Sequence, residues 1–418
     1  MQRKTLNPNL AKAVIHKLGS FGTPPEFGIE YFSVGVENYL RVIEEEYLKG
    51  ILKFNLSSFK LITGNYGGGK THFLYLVRNI GWRNNYVTSY VTLSPTECPF
   101  DRLELVYKQV VLNLRIPVND DQWEEPWNLG IDHLLRNWVK SAEGNILSKI
   151  RSFESSSFTN AVKAAVTNLL SEDEDGFDEV IQWLKGDDLP RELKLRYRIS
   201  ERVDRSNAFR MLRSLVQFVS SLGYSGLLLL FDEAERGMSI SSARDKRRAL
   251  DNLRQLVDEC GNARLPGAMF FYAIPDENLL LEGSGGVYEA LKQRLRSSFT
   301  RINPMGVKIN LEDIGVGARD FLTELGSKLA TVFEIAYDHR LNTEIRDQSL
   351  KNMIEAALEF QTLDVSYRRI FVIGVIEIFH RLKDKAAVIH RDEAREIFRS
   401  KVRLLADTEK AEVESEEF

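Results

Sequence analysis

The run Gly64-Asn65-Tyr66-Gly67-Gly68-Gly69-Lys70-Thr71 puts four glycines into six positions and then a Lys-Thr pair. Glycine weakens any regular element, so bare backbone must be needed there for another purpose. Successive N–H groups without side chains can wrap an anion, and the G-x-x-x-x-G-K-[ST] spacing is that of a loop cradling a nucleotide β-phosphate at a helix N-terminus. On this reading Gly64 to Gly69 form the cradle, Lys70 bridges the β- and γ-phosphate oxygens, and the Thr71 hydroxyl coordinates Mg²⁺. His72 would turn its backbone N–H toward the α-phosphate, and its ring is assigned no chemical role.

A phosphate loop speaks for nucleotide binding, and hydrolysis needs a second set of groups. They stand in "GYSGLLLLFDEAE", residues 223 to 235, where a continuous apolar run reads as a strand buried on both faces and ends in adjacent carboxylates. Asp232 would hold Mg²⁺ through water, and Glu233 would polarise the attacking water as general base. Glu235 is equally well explained by helix capping or surface packing.

The elements that must position these groups follow from periodicity. "SFKLIT" before the glycines is a short β-rich run, and "THFLYLVRNIGW" after them carries apolar residues at helical spacing. Further strands are expected at 86 to 93, 267 to 276 and 306 to 311, which with the strand before Asp232 make five in a mainly parallel α/β sheet. Between Ile116 and Asn207 a long helical insertion is expected, with an acidic loop "SEDEDGFDE" and Trp123, Trp127, Trp138 and Trp183 read as core. The chain therefore divides into an N-terminal helical segment (1–57), a core (58–312) carrying the insertion at about 116–207, a small helical lid (313–405) and an acidic disordered tail (406–418).

Composition excludes several classes. The 418 residues are 43% hydrophobic and 28% charged, enough for a substantial core, and 56 Lys plus Arg against 60 Asp plus Glu rule out a generally basic nucleic-acid coat. Any DNA contact must be regional. Two cysteines, Cys98 and Cys260, stand outside any CxxC spacing, so neither a disulfide framework nor a zinc site is indicated and a reducing cytoplasm fits. No apolar run is long enough for a membrane span.

These stretches together resemble the AAA+ ATPases and, within them, the BrxC/BrxD-like ATP-binding proteins of bacterial BREX phage-defence systems. "FSVGVENYL" resembles the family's GxE-type segment, "LITGNYGGGKTHFL" its glycine-rich Walker A, "LGYSGLLLLFDEAE" its Walker B, and "SPTECPF", "VYKQVVLNL" and "WLKGDDLPRELK" its intervening segments. Val36 stands where related ATPases often have Arg, and the resemblance would put adenine contacts near Phe32 to Gly35. It implies ATP and Mg²⁺ as cofactors and a homo-oligomer. In "YEALKQRLRSSF" Arg294 resembles an arginine finger presented to a neighbour's γ-phosphate, with Arg296 as substitute. In "DVSYRRIFV" Arg368, rather than Arg369, resembles the sensor 2 arginine that links lid to phosphate. Asp276 lies near the sensor 1 position, although Pro275 departs from the usual pattern.

The segment from Arg236 to Arg254 carries six basic residues against two aspartates. Arg244, Arg247 and Arg248 are its candidates for DNA phosphate contacts, with a solvated helix face or a subunit contact as the alternative. With no winged-helix reader after the lid, little base discrimination is expected. The implied activity is ATP hydrolysis that remodels or loads a partner on DNA, the partner being a helicase or another defence protein. A STAND-like signalling switch and a helicase motor in its own right are the competing classes. The first usually appends sensor repeats and the second a series of helicase motifs.

Overall fold

A computed structural model describes residues 6–118, 123, 128–239, 242–278, 286–360 and 366–416, with side chains of 286–288 and 405–416 outside the description. Two compact units divide it. One takes in the described residues within Met1–Asn38, Gly64–Leu76 and Leu311–Phe418, the other Tyr39–Thr63 and those within Val77–Asn310.

The second unit holds the sheet. Its strands are β1 (Ser58–Thr63), β2 (Tyr86–Thr92), β3 (Leu114–Arg115), β4 (Gly226–Asp232), β5 (Ala268–Ile274) and β6 (Lys308–Asn310), in the order β3-β2-β4-β5-β1-β6. Every neighbouring pair is parallel except β2 with β3. The expectation of five strands is thus one short. The sixth, β3, pairs only through Thr88 with Arg115 and Ser89 with Leu114, and two residues are too few to show a period in sequence.

All residues of β4 and β5 are buried, which is why "GLLLLFD" and "AMFFYAI" read as unbroken apolar runs rather than alternating ones. Helix Leu103–Leu112 packs on β2, Ala208–Ser221 on β4 and Ala243–Gly261 on β1. In the middle one Phe209, Leu212, Leu215, Val216 and Val219 recur at three- and four-residue steps along the buried stripe. Between β3 and β4 the described residues include the helices Gly130–Ser141, Ser156–Leu170 and Glu174–Leu184, packed on one another. Trp138 and Trp183 are core residues there, and Trp183 Nε1 donates to Glu201 O at 2.9 Å. Trp123 is half-buried, and Trp127 lies outside the described residues.

The stretch "SEDEDGFDE" corrects another expectation: most of it starts a helix. Asp173 caps Glu174–Leu184 by accepting from Gly176 N, and the following acids face the partial positive charge of the helix N-terminus.

The first unit is helical. Helix Pro8–Phe21, capped by Asn7, packs against Ala318–Tyr337 and Tyr367–Asp384, while Thr343–Phe360 packs against Tyr367–Asp384 and Arg391–Glu416. That last helix runs through positions 406 to 416, where the sequence suggested a disordered acidic tail. Its Ala, Glu and Lys content favours helix even where little is apolar.

Candidate nucleotide site

The glycine loop leaves the carboxyl end of β1 at Thr63, and the helix Lys70–Arg83 begins at its lysine. Lys70 is buried and turned into its own loop, Nζ donating to Gly64 O at 2.8 Å and Asn65 O at 3.3 Å, with the exposed Tyr66 ring 5.2 Å from the ammonium. A turn closes between Gly68 N and Asn65 O at 2.8 Å. Two of the glycines resist substitution. Gly67 lies at φ +71°, and a Cβ there would meet Ser366 Cβ at 2.6 Å; one on Gly68 would meet the backbone Asn65 O at 2.8 Å. Thr71 follows, half-buried, on the first helical turn.

The loop is held by the helical segments of its own unit. Ser366 Oγ donates to Tyr66 O at 3.2 Å. Arg368 Nη1 donates to Gly68 O at 3.1 Å and Leu311 O at 3.4 Å, and its guanidinium stacks over the Phe321 ring at 4.9 Å. The neighbouring Arg369 donates instead to Phe21 O at 2.9 Å. Only Arg368 of the two therefore reaches the loop.

The His72 ring, given no role from sequence, is a tie. Ser33 Oγ donates to Ile29 O at 2.6 Å, so the 2.7 Å contact between His72 Nε2 and Ser33 Oγ is one in which the ring N–H donates. Phe32 meets the ring edge-on at 5.2 Å, and desolvation lowers the His72 pKa to about 4, which keeps it neutral. Lys328 Nζ donates to Ser33 O, fastening the segment Phe32–Gly35 to helix Ala318–Tyr337. Nothing local in "KTHFL" announces these partners, which lie 39 residues away in sequence for Ser33.

In the sheet unit the carboxylate pair ends β4. Thr63 of β1 is in register with Ile274 of β5, and β5 lies between β1 and β4. The end of β1 and Asp232 are thus two strand spacings apart, roughly 10 Å. Asp232 is buried, its Oδ2 accepting from the Tyr90 hydroxyl at 2.6 Å and its Oδ1 from Glu233 N at 2.9 Å. Two donors fix the orientation of its carboxylate. Tyr90 was missed from sequence; its alternation within "YVTSYVT" marks a strand and says nothing of the residue it meets 142 positions later.

Glu233 has φ +49°, in the left-handed region that a non-glycine residue adopts at a cost. This kink turns the chain out of β4, and Glu233 Oε2 pairs with Arg236 Nη1 at 3.0 Å. Among the described residues no group of three or more His, Cys, Asp or Glu gathers as a metal cage. Cys98 and Cys260 are buried free thiols.

Residues 6–397 match the family model of the BREX system ATP-binding protein BrxC/D. The chain belongs to this family. No curated protein and no solved structure matches it.

The outlying residues of this BrxC/D-family chain are placed as follows. Arg294, on helix Gly286–Leu295, makes a two-pronged ion pair with Asp258 of helix Ala243–Gly261, Nε to Oδ1 at 2.5 Å and Nη2 to Oδ2 at 3.2 Å. Arg296 is exposed. Asp276 is exposed and caps a turn, accepting from Asn278 N at 3.0 Å. Of the three basic candidates, Arg244 and Arg247 are exposed on helix Ala243–Gly261, whereas Arg248 is paired with Asp245 at 2.9 Å and Asp101 at 3.5 Å. No described helix is long and apolar enough to cross a membrane.

Proposed function

We propose that this BrxC/D-family chain is a cytoplasmic AAA+ ATPase, one that hydrolyses Mg-ATP to remodel or load a partner on DNA during anti-phage defence. The observation that carries the hydrolytic reading is the carboxylate pair at the carboxyl end of β4, with buried Asp232 oriented by Tyr90 and Glu233 set on a kink beside it. Magnesium prefers oxygen ligands and keeps several waters, and a carboxylate held by two donors suits it. When bound, Mg²⁺ would neutralise charge on the phosphates.

The chain's own residues supply the rest. The loop amides and Lys70 hold the phosphates, with the Thr71 hydroxyl an oxygen donor to the metal. Glu233 takes a proton from water as its oxygen attacks the γ-phosphorus. The bond to the β–γ bridging oxygen breaks, ADP leaves, and the proton passes to phosphate. For Glu233 to do this its carboxylate must be free of Arg236. Arg294, in a homo-oligomer, would exchange Asp258 for a neighbour's γ-phosphate. The C-terminal helices, anchored to the loop through Arg368, would act as the lid.

The test separates binding from chemistry. Lys70→Ala is expected to lose ATP affinity, whereas Glu233→Gln keeps affinity and loses turnover, because Lys70 touches phosphate and Glu233 only water. Equal ATP affinity in wild type and Lys70→Ala would overturn the assignment.

A further inference from the structure

Glu312 comes two residues after β6 and was assigned no role by any motif. Its two carboxylate oxygens each reach one of two partners in this unit, among others. Oε1 accepts from the Asn65 backbone N–H at 3.1 Å, and Oε2 pairs with Arg368 Nη2 at 3.4 Å. Arg368 in turn donates to Gly68 O at 3.1 Å, and Gly68 N closes the turn onto Asn65 O at 2.8 Å. The circuit is complete: one carboxylate and one guanidinium grip both ends of the turn 65–68, immediately before the Gly69-Lys70-Thr71 amides. Ser366, at the start of the Arg368 helix, presses on the same turn through Tyr66 O and Gly67.

We propose that Glu312 is a positioning residue that sets the phosphate loop and Arg368 together, and that it competes with the γ-phosphate of ATP for the Arg368 guanidinium. The proposal rests on the ATP-binding reading above. The chemistry of the competition is direct. Guanidinium binds carboxylate and phosphate through the same planar fork, and the phosphate, with more charge, makes the stronger charge-assisted bonds. The pair with Glu312 is long and partly solvated, with 15% of the Arg368 side chain and 35% of the Glu312 side chain exposed, so it is a weak bond that an arriving polyphosphate can break. While closed, the clasp braces the loop from the side of the C-terminal helices. Once Arg368 leaves for phosphate, Glu312 keeps Asn65 N–H and the loop keeps its shape. ADP, lacking a γ-phosphate, offers no such competitor. Glu312 would thereby hold down the affinity for ATP relative to ADP without touching either.

The experiment uses the full chain and measures Kd for ATP and for ADP by calorimetric titration. Glu312→Gln keeps an acceptor for Asn65 N–H and removes the charge that retains Arg368. Its ATP affinity is expected to rise by about twofold to fivefold, the range a partly exposed ion pair supports, with ADP affinity unchanged. Glu312→Asp, which keeps the charge, should return the ATP-to-ADP ratio toward wild type. In an Arg368→Ala background the glutamine substitution should have no effect on that ratio. Equal effects of Glu312→Gln on ATP and ADP, in either direction, would overturn the proposal and leave Glu312 a brace for the loop. So would a selective gain that persists without Arg368. Failure of the wild-type chain to bind either nucleotide would overturn the ATP reading itself, and this proposal with it.

Discussion

Replacing Lys60 by methionine should change how the stability of the sheet unit depends on pH. Lys60 sits in the middle of β1, the strand that runs into the glycine loop, and is 1% exposed. Its Nζ donates to the Tyr47 hydroxyl at 2.7 Å and to Gly306 O, with the Tyr47 and Phe299 rings 4.3 and 4.6 Å away. Among the described residues no carboxylate pairs with it, and desolvation lowers its pKa from 10.5 to about 7. The drop of 10.5 − 7 = 3.5 units, at 1.36 kcal/mol each, is about 5 kcal/mol as an upper bound. The folded pKa lies below the unfolded one, so between the two the unfolded chain binds more protons and stability rises with pH. Below the folded pKa both states hold the proton and the whole penalty remains. Methionine keeps the length of the side chain without the charge. Urea unfolding between about pH 7 and pH 9.5 should show wild type gaining up to ~3 kcal/mol relative to Lys60→Met. The window stops short of the tyrosine range, because Tyr47, raised to about 12 by burial, adds a slope of opposite sign above its unfolded pKa of 10. Parallel profiles for the two proteins would refute the reasoning, since Lys60 would then carry no desolvation penalty.

Tyr90→Phe removes one donor from Asp232, so the Mg²⁺ concentration for half-maximal ATPase should rise by roughly tenfold, with nucleotide affinity in EDTA unchanged; an unaltered Mg²⁺ titration would remove Tyr90 from the site. Arg294→Ala should bind ATP nearly normally and hydrolyse it poorly, and mixing it with Lys70→Ala should restore some turnover. If instead Asp258→Ala reproduces the defect and mixing restores nothing, Arg294 serves only its own helix pair. Replacing Arg244 and Arg247 by Glu should weaken DNA binding and shrink the log–log salt slope by about 0.9 for each duplex phosphate that is no longer neutralised. Arg248→Glu should lower the melting temperature as well, because it sets a like charge against Asp101 and Asp245; wild-type DNA affinity in the double variant across a salt titration would end the DNA role of this helix.

Some of this was local and therefore legible. The run from Gly64 to Thr71 specifies a glycine-rich turn between a strand and a helix because backbone freedom and the flanking apolar periods all depend on near neighbours. The runs ending at Asp232 and Ile274 declare buried strands because both faces of each are covered, so no polar residue interrupts them. Family membership was legible for the same reason, being carried by such short stretches. What the tertiary structure alone decided are the partners. Glu312 meets Asn65 across 247 positions, Tyr90 meets Asp232 across 142, and β3 exists only because Leu114 and Arg115 find an edge of β2. Arg294 reads the same in sequence whether it faces a phosphate or Asp258, 36 residues earlier. A carboxylate, a tyrosine or an arginine leaves no period in the chain that reveals its partner. Hydrogen bonds and ion pairs are short-ranged and directional, so their membership is settled only when packing of the apolar core has brought distant segments within about 3 Å.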